Sequence, residues 1–201
     1  MNQPNEHGLI IFIKNPELGK VKTRLASTVG DQQALRIYMA LMEHTRKLAL
    51  SIDAQRHLFY SNFINHKDEW DASYFEKDLQ DRGDLGQRMA AAFQKALKEQ
   101  KKVVIIGSDC ASLSTEIIED AFTLLDHHDF VLGPAFDGGY YLLGMKSFFS
   151  PIFNQMEWST ESVAQETKDR IKAAGHSLAL LPTLSDIDYE DDWQKYGWSL
   201  D

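Results

Sequence analysis

Lys102-Val-Val-Ile-Ile-Gly-Ser-Asp109 places four β-branched residues behind a lysine and ends on two small residues and a carboxylate. A continuous apolar run of this length suits a strand buried on both faces, and such strands belong to parallel sheets covered by helices. Gly8-Leu-Ile-Ile-Phe-Ile-Lys14 has the same character, and further strands are expected at about Ala54–Tyr60, Asp129–Gly133, Tyr140–Met145 and Ser177–Leu181. Between them the apolar spacing turns helical. From Asp31, a capping residue, to about Ser51 the stripe is Leu35, Met39, Met42, Leu48 and Ala49. A second helix runs from Asp84 to about Gln100 with Met89, Phe93, Ala96 and Leu97 inward, and a third from a cap-like Ser114-Thr-Glu to about His127. Helices are also expected near Ser159–Ala174 and after Asp188, while residues 62–82 lack periodicity and read as irregular. Strands alternating with helices of this length indicate an α/β fold, a mostly parallel central sheet with flanking helices.

The chain has 201 residues, 43% of them hydrophobic and 25% charged, with a net charge of −9. One domain spanning residues 1–201 is the expectation, with no internal repeat, low-complexity tract or linker. The acidic balance argues against nucleic-acid and membrane partners. A lone cysteine, Cys110, excludes an internal disulfide and a cysteine-rich zinc site, which fits a reducing, cytoplasmic setting. The N-terminal stretch has no basic residue ahead of a short apolar run, Leu9–Ile13, so it does not read as a secretory signal. No run approaches the roughly 18 apolar residues that span a bilayer. His7, His44, His57, His66, His127, His128 and His176 show no metal-ligand spacing, and nothing in the pattern signals an oligomeric state.

Ligands of open α/β sheets bind beyond the carboxyl ends of the strands, so three loops draw attention. The loop after the first strand carries Lys14, Lys20, Lys22 and Arg24 against a single acid, Glu17. Between a strand and a helix, such cations and backbone N–H groups suit phosphate oxygens; the plainer reading is a solvated turn. The loop matches neither a P-loop nor the G-x-G-x-x-G dinucleotide fingerprint. The second loop brings Ser108 and Asp109 to a strand end. A carboxylate there can hold Mg²⁺ or Mn²⁺, which prefer oxygen ligands and bridge to phosphates, or it can simply cap a turn. Cys110 beside it has no sequence-adjacent base and reads as a small buried thiol. In the third loop Asp137 precedes Gly138 and Gly139, which permit either close approach of a ligand or a tight turn. Near the end, Asp186-Ile-Asp-Tyr-Glu-Asp-Asp192 is an acidic helix start or the source of a second metal carboxylate, Asp186 or Asp188.

Six segments together resemble a bacterial family of about this length, of unknown function, with a nucleotide-diphospho-sugar transferase (GT-A, Rossmann-like) fold. They are Phe12–Leu25, Gln80-Asp-Arg-Gly-Asp-Leu-Gly-Gln-Arg-Met89, Ile106–Leu113, Gly133–Gly144, Trp158-Ser-Thr160 and Asp186–Asp192. Members are commonly assigned as glycosyltransferases, one branch being linked to arsenosugar biosynthesis. The family is distantly similar to molybdenum cofactor guanylyltransferase and phospholactate guanylyltransferase. The resemblance implies that Lys14, Lys20, Lys22, Arg24 and Ser108 hold a nucleotide's phosphates. It implies Asp109 as principal ligand of a divalent metal, Mg²⁺ or Mn²⁺, with Asp188 second and Asp186 as substitute. Catalytic roles fall to Asp109, Lys22 and Asp137, the last as a candidate base. Gly138, Gly139, Tyr140, Trp158, Ser159 and Thr160 would line the acceptor side. The chain departs from the family pattern at Ala111, where a proline is usual, and its first loop lacks the glycine-rich signature of nucleotidyltransferases.

The implied activity is a metal-dependent glycosyl transfer from a nucleotide sugar to a small acceptor. A nucleotidyltransferase joining an NTP to a phosphorylated acceptor with pyrophosphate release is the alternative. A non-catalytic nucleotide-binding module is a third reading.

Overall fold

The computed structural model describes residues 6–200, so the first five residues of the N-terminal stretch considered above, and Asp201, lie outside the described residues. Along the chain run β1 (His7–Ile13), α1 (Thr23–Val29), α2 (Asp31–Ser51), β2 (Gln55–Tyr60), β3 (Glu76–Leu79), α3 (Leu85–Ala96) and β4 (Lys102–Ile106). They are followed by α4 (Thr115–His127), β5 (Phe130–Pro134), β6 (Tyr140–Met145), α5 (Val163–Ala173), β7 (Leu178–Leu180) and α6 (Glu190–Tyr196), with a 3-10 turn at Ser150–Ile152.

Among the described residues seven strands form one sheet in the order β3-β2-β1-β4-β6-β5-β7. β6 alone runs antiparallel to its neighbours β4 and β5; the other pairings are parallel. Because Leu142 of β6 pairs with both Ile106 and Gly133, the start of β6 lies beside the ends of β4 and β5. The loops after β1, β4 and β5 therefore emerge at one edge.

Alternate residues of the central strands face two separate cores, as the period of two in a strand requires. Leu9, Ile11 and Ile13 of β1 with Val104 and Ile106 of β4 pack under Tyr38 and Met42 of α2 and Ile118, Phe122 and Leu125 of α4. Ile10, Val103 and Ile105 face Met89, Ala92, Phe93 and Ala96 of α3 and Ile171 of α5. A smaller cluster of Leu25, Ile37, Leu41 and Ile187 fastens α1 and the segment before α6 to α2. The result is three layers, helices on both faces of a mostly parallel sheet.

Four boundaries differ from the sequence reading. β3 lies within the stretch expected to be irregular: its Glu-Lys-Asp-Leu composition suits a charged edge strand rather than a buried one. α1 was not anticipated, being seven residues behind Lys22, which makes no side-chain cap hydrogen bond. The run from Lys102 leaves the sheet after Ile106, so Ser108 and Asp109 belong to a loop. The helix expected from Ser159 starts at Val163, because Ser159 has a positive φ of 65° that no helix accommodates. No helix among the described residues is long and apolar enough to cross a membrane.

Candidate active site

The ends of β1 and β4 and the start of β6 open into a cavity of about 400 Å³, roofed by the first turn of α3 and closed on one side by Ser159. α3 is set there by a capping box. The Asp84 carboxylate accepts from the Gln87 N–H at 2.8 Å, and the Gln87 side-chain oxygen accepts from the Asp84 N–H at 3.0 Å. Gly86 lets this turn settle against the Trp158 loop: a Cβ on it would lie 2.5 Å from the indole and 2.7 Å from the Phe153 carbonyl.

Tyr38 of α2 ties β1 to β4 beneath the cavity. Its hydroxyl accepts from the Lys14 N–H at 2.8 Å, donates to the Lys14 carbonyl at 3.0 Å and lies 3.3 Å from the Ser108 hydroxyl. Burial first, and the nearby Asp109 charge second, push the Tyr38 phenol upward, so it stays a neutral strut. Asn15, fully buried, accepts from the Asn62 N–H and donates to the Phe63 carbonyl, fixing the loop after β2 beside the same edge.

Charged groups collect on the α1 and α6 side. Lys22, in a left-handed conformation (φ 49°, ψ 44°) just before α1, turns its side chain inward until it is only 6% exposed. Its ammonium lies 2.7 Å from Asp109 Oδ1 and 3.8 Å from Asp188 Oδ1, and Arg24 donates to Asp188 Oδ2 at 2.8 Å. The Ile187 N–H donates to the Asp109 carbonyl at 2.9 Å, which docks residues 186–188 against the β4 loop. Asp192 accepts from the N–H groups of Asp188 and Tyr189 and so caps α6, a structural use for one acid of the terminal cluster. Asp186 reaches the cavity wall. Burial pushes its carboxyl up to about 7, with the charges of Asp109, Asp137 and Asp188 adding and that of Lys22 opposing.

The candidates thus divide. Lys14, Ser108, Asp109, Tyr140, Ser159 and Asp186 line the cavity, and Lys22, Arg24 and Asp188 are joined to it by ion pairs. Lys20 instead pairs with Glu17 at 2.7 Å on the surface. Asp137, Gly138, Gly139, Trp158 and Thr160 do not line the cavity. The Asp137 carboxylate accepts from the Gly139 N–H at 2.9 Å within its own turn, and Thr160 donates to the Glu157 carbonyl. Gly138 (φ 87°) meets the α5 approach so closely that a Cβ would fall 2.0 Å from the Glu161 carbonyl oxygen, so its role is packing. Burial pushes the Cys110 thiol up to about 12, with Asp186 adding, which leaves it inert at neutral pH. Ser61, Gln80 and Arg88 also line the cavity; Gln80 and Arg88 lie in the Gln80–Met89 segment of the family resemblance, but the sequence assigns neither a role.

Among the described residues no group of three acidic, histidine or cysteine side chains converges into a ready-made metal cage. Asp109 nevertheless has the marks of a cation ligand. Its Oδ1 is buried and meets the Lys22 ammonium at 2.7 Å, with no hydrogen bond to another group. Asp109, whose side chain is 42% exposed, together with Asp186 on the same cavity wall would suit Mg²⁺ or Mn²⁺, which take one or two protein carboxylates and complete their shells with water and phosphate.

The fold is that of nucleotidyl- and nucleotide-sugar-transferase-like proteins. The chain belongs to the DUF2064 family, described as uncharacterized protein conserved in bacteria, whose model matches residues 43–160. A provisionally assigned nucleotide-diphospho-sugar transferase from Desulfovibrio desulfuricans G20 is 33% identical, with a TM-score of 0.85 over 92% of this chain and 83% of that one. A 2-phospho-L-lactate guanylyltransferase from Methanocaldococcus vulcanius is 22% identical over 143 residues, 69% of this chain and 62% of that protein, so the match leaves more than a third of the guanylyltransferase uncovered. A Mycobacterium tuberculosis protein in complex with manganese shares the fold at 9% identity, with a TM-score of 0.57 over 96% of this chain and 98% of that one.

Proposed function

We propose that the chain is a divalent-metal-dependent transferase acting on a nucleotide-activated donor, a nucleotide sugar, from which it moves the glycosyl group to a small acceptor. The observation that carries this reading is the pairing of Lys22 and Arg24 with Asp109 and Asp188 beside Asp186 at the strand ends. Asp109 and Asp186 would hold the ion. Asp188 is the weaker choice because Lys22 and Arg24 engage both its oxygens. When bound, the ion neutralises charge on the departing diphosphate. Lys22 and Arg24 hold phosphate oxygens on the α1 side, where they already sit as a preorganised pair, and the Tyr38–Ser108 bridge keeps the loop beneath them from shifting. Leu85 of α3, Ser159 and Tyr140 line the cavity and would meet the acceptor there. Asp137, bound within its own turn, receives no proton-transfer role.

Nucleotidyl transfer with release of pyrophosphate is a second reading, favoured by the guanylyltransferase match. Calorimetry with UDP, GDP and their sugars, with and without Mn²⁺, tests the proposal. Binding should require the metal and disappear in Asp109→Ala; absence of metal-dependent binding of all of them ends it. Pyrophosphate release from any of the four NTPs in the presence of phosphorylated acceptors would decide for the second reading.

A further inference from the structure

Arg88 stands in the same cavity on the α3 side, across the sheet edge from the Lys22 cluster. Its guanidinium is held by neutral groups: Nη1 donates to the Gln80 side-chain oxygen at 3.1 Å and Nε to the Asp84 carbonyl at 3.2 Å. Gln80 is itself clamped, donating to the carbonyls of Ile13 at 3.1 Å and Phe59 at 3.3 Å, at the ends of β1 and β2. Arg88 makes no ion pair among the described residues, although it is half-buried; Lys14, exposed just past the end of β1, makes none either. A half-buried guanidinium aimed into the cavity by an amide and left without an ion pair among the described residues keeps its charge available for an anionic ligand. The acids of the cavity, Asp109 and Asp186, lie on loops after β4 and β7 rather than on the Arg88 side, and Asp109 is already paired with Lys22.

We infer that Arg88 is the receptor for a second oxyanion, a phosphoryl or carboxylate group carried by the acceptor, with Gln80 as its positioning residue. The inference rests on the transferase reading for the word acceptor. It follows from charge placement: only the Asp109 end offers carboxylates for a metal-bridged diphosphate, whereas Arg88 needs an anion without any metal. The fork of a guanidinium matches two oxygens of such a group at once, fixing the orientation of the acceptor toward the donor.

The test is calorimetry of the full chain with 2-phosphoglycolate, which carries one phosphoryl and one carboxylate group, in EDTA. Binding without metal is expected, weakened at least about tenfold in Arg88→Gln and less in Arg88→Lys, which keeps the charge but not the fork. Mn²⁺-dependent GDP binding should be unaltered in both variants, and melting temperature reports on folding. Competition by inorganic phosphate but not acetate identifies the phosphoryl group as the one bound, and the reverse identifies the carboxylate. Failure of the parent to bind 2-phosphoglycolate, equal binding by Arg88→Gln, or joint loss of GDP binding in a folded Arg88→Gln or Arg88→Lys protein overturns the inference. Arg88-dependent binding of 2-phosphoglycolate without any nucleotide binding would keep the subsite and sink the transferase reading.

Discussion

Replacing Asp186 by Asn should make the metal-free protein more stable above neutral pH, although it removes a candidate ligand. The Asp186 carboxyl is held at about 7 in the folded chain, against a reference of 3.8. Folded protein therefore binds an extra proton between those values, so this group's contribution to stability falls as pH rises from about 4 to about 7 and is level beyond. Three units at 1.36 kcal/mol each set an upper bound of about 4 kcal/mol, and allowance for solvent reaching a partly buried group leaves about 2 kcal/mol. For a chain of this size that is a shift of roughly 4–8 °C in melting temperature. Thermal unfolding of parent and Asp186→Asn in EDTA, from pH 4 to pH 8, should show curves that lie closest at pH 4, separate progressively up to about pH 7 and run parallel beyond, the variant higher. Mn²⁺ should close the gap at pH 8 by stabilising the parent more than the variant. A variant equal to or less stable than the parent at pH 8 in EDTA would refute the reasoning, because Asp186 would then not be a strained charge.

Other perturbations give equally definite outcomes. Lys22→Met leaves Asp109 Oδ1 buried with no cation and should cost about 1–3 kcal/mol in urea unfolding, less than a fully buried pair because Asp109 is 42% exposed, and Mn²⁺ should recover part of it. Gly86→Ala drives a Cβ into the Trp158 indole; a loss of about 1–3 kcal/mol with altered near-UV circular dichroism is expected, and an unchanged melting curve would show that the roof of the cavity yields. Gly138→Ala, whose Cβ would meet backbone at 2.0 Å and whose φ is 87°, should be at least as damaging, measured in the same way. Lys20→Ala should leave stability and nucleotide binding unchanged, since Lys20 meets only Glu17 at the surface.

The buried strands were legible because Leu9–Ile13 and Val103–Ile106 must be apolar on both faces, and α3 and α4 because Asp84 and Ser114 cap them ahead of apolar stripes; α2 was legible from its apolar spacing, but Asp31 is its first residue rather than its cap, Gly30 standing at the N-cap without a side-chain hydrogen bond. β3 was not legible: an edge strand needs charge, not alternation, so Glu76-Lys-Asp-Leu79 looks like loop. The reversal of β6 leaves no local trace, since direction is decided by pairing with β4 and β5. At the site, acids and lysines announced themselves by residue type. What Asp186 and Asp188 each face could not be read, because both lie within one acidic run and differ only in which neighbours approach. Arg88 escaped for the opposite reason: its meaning comes from Gln80, just past β3, and from having no ion-pair partner among the described residues.

The bond from the Ile187 N–H to the Asp109 carbonyl joins residues 78 positions apart. During synthesis the basic loop, the β4 loop and the roof over the cavity are all made before Asp186 and Asp188 exist. On the proposed reading, competence would therefore arrive only with residues 186–188 rather than growing in step with the sheet. On the same reading, proteolysis between β7 and α6 would undo that last step while leaving most of the residues of the two larger cores in place.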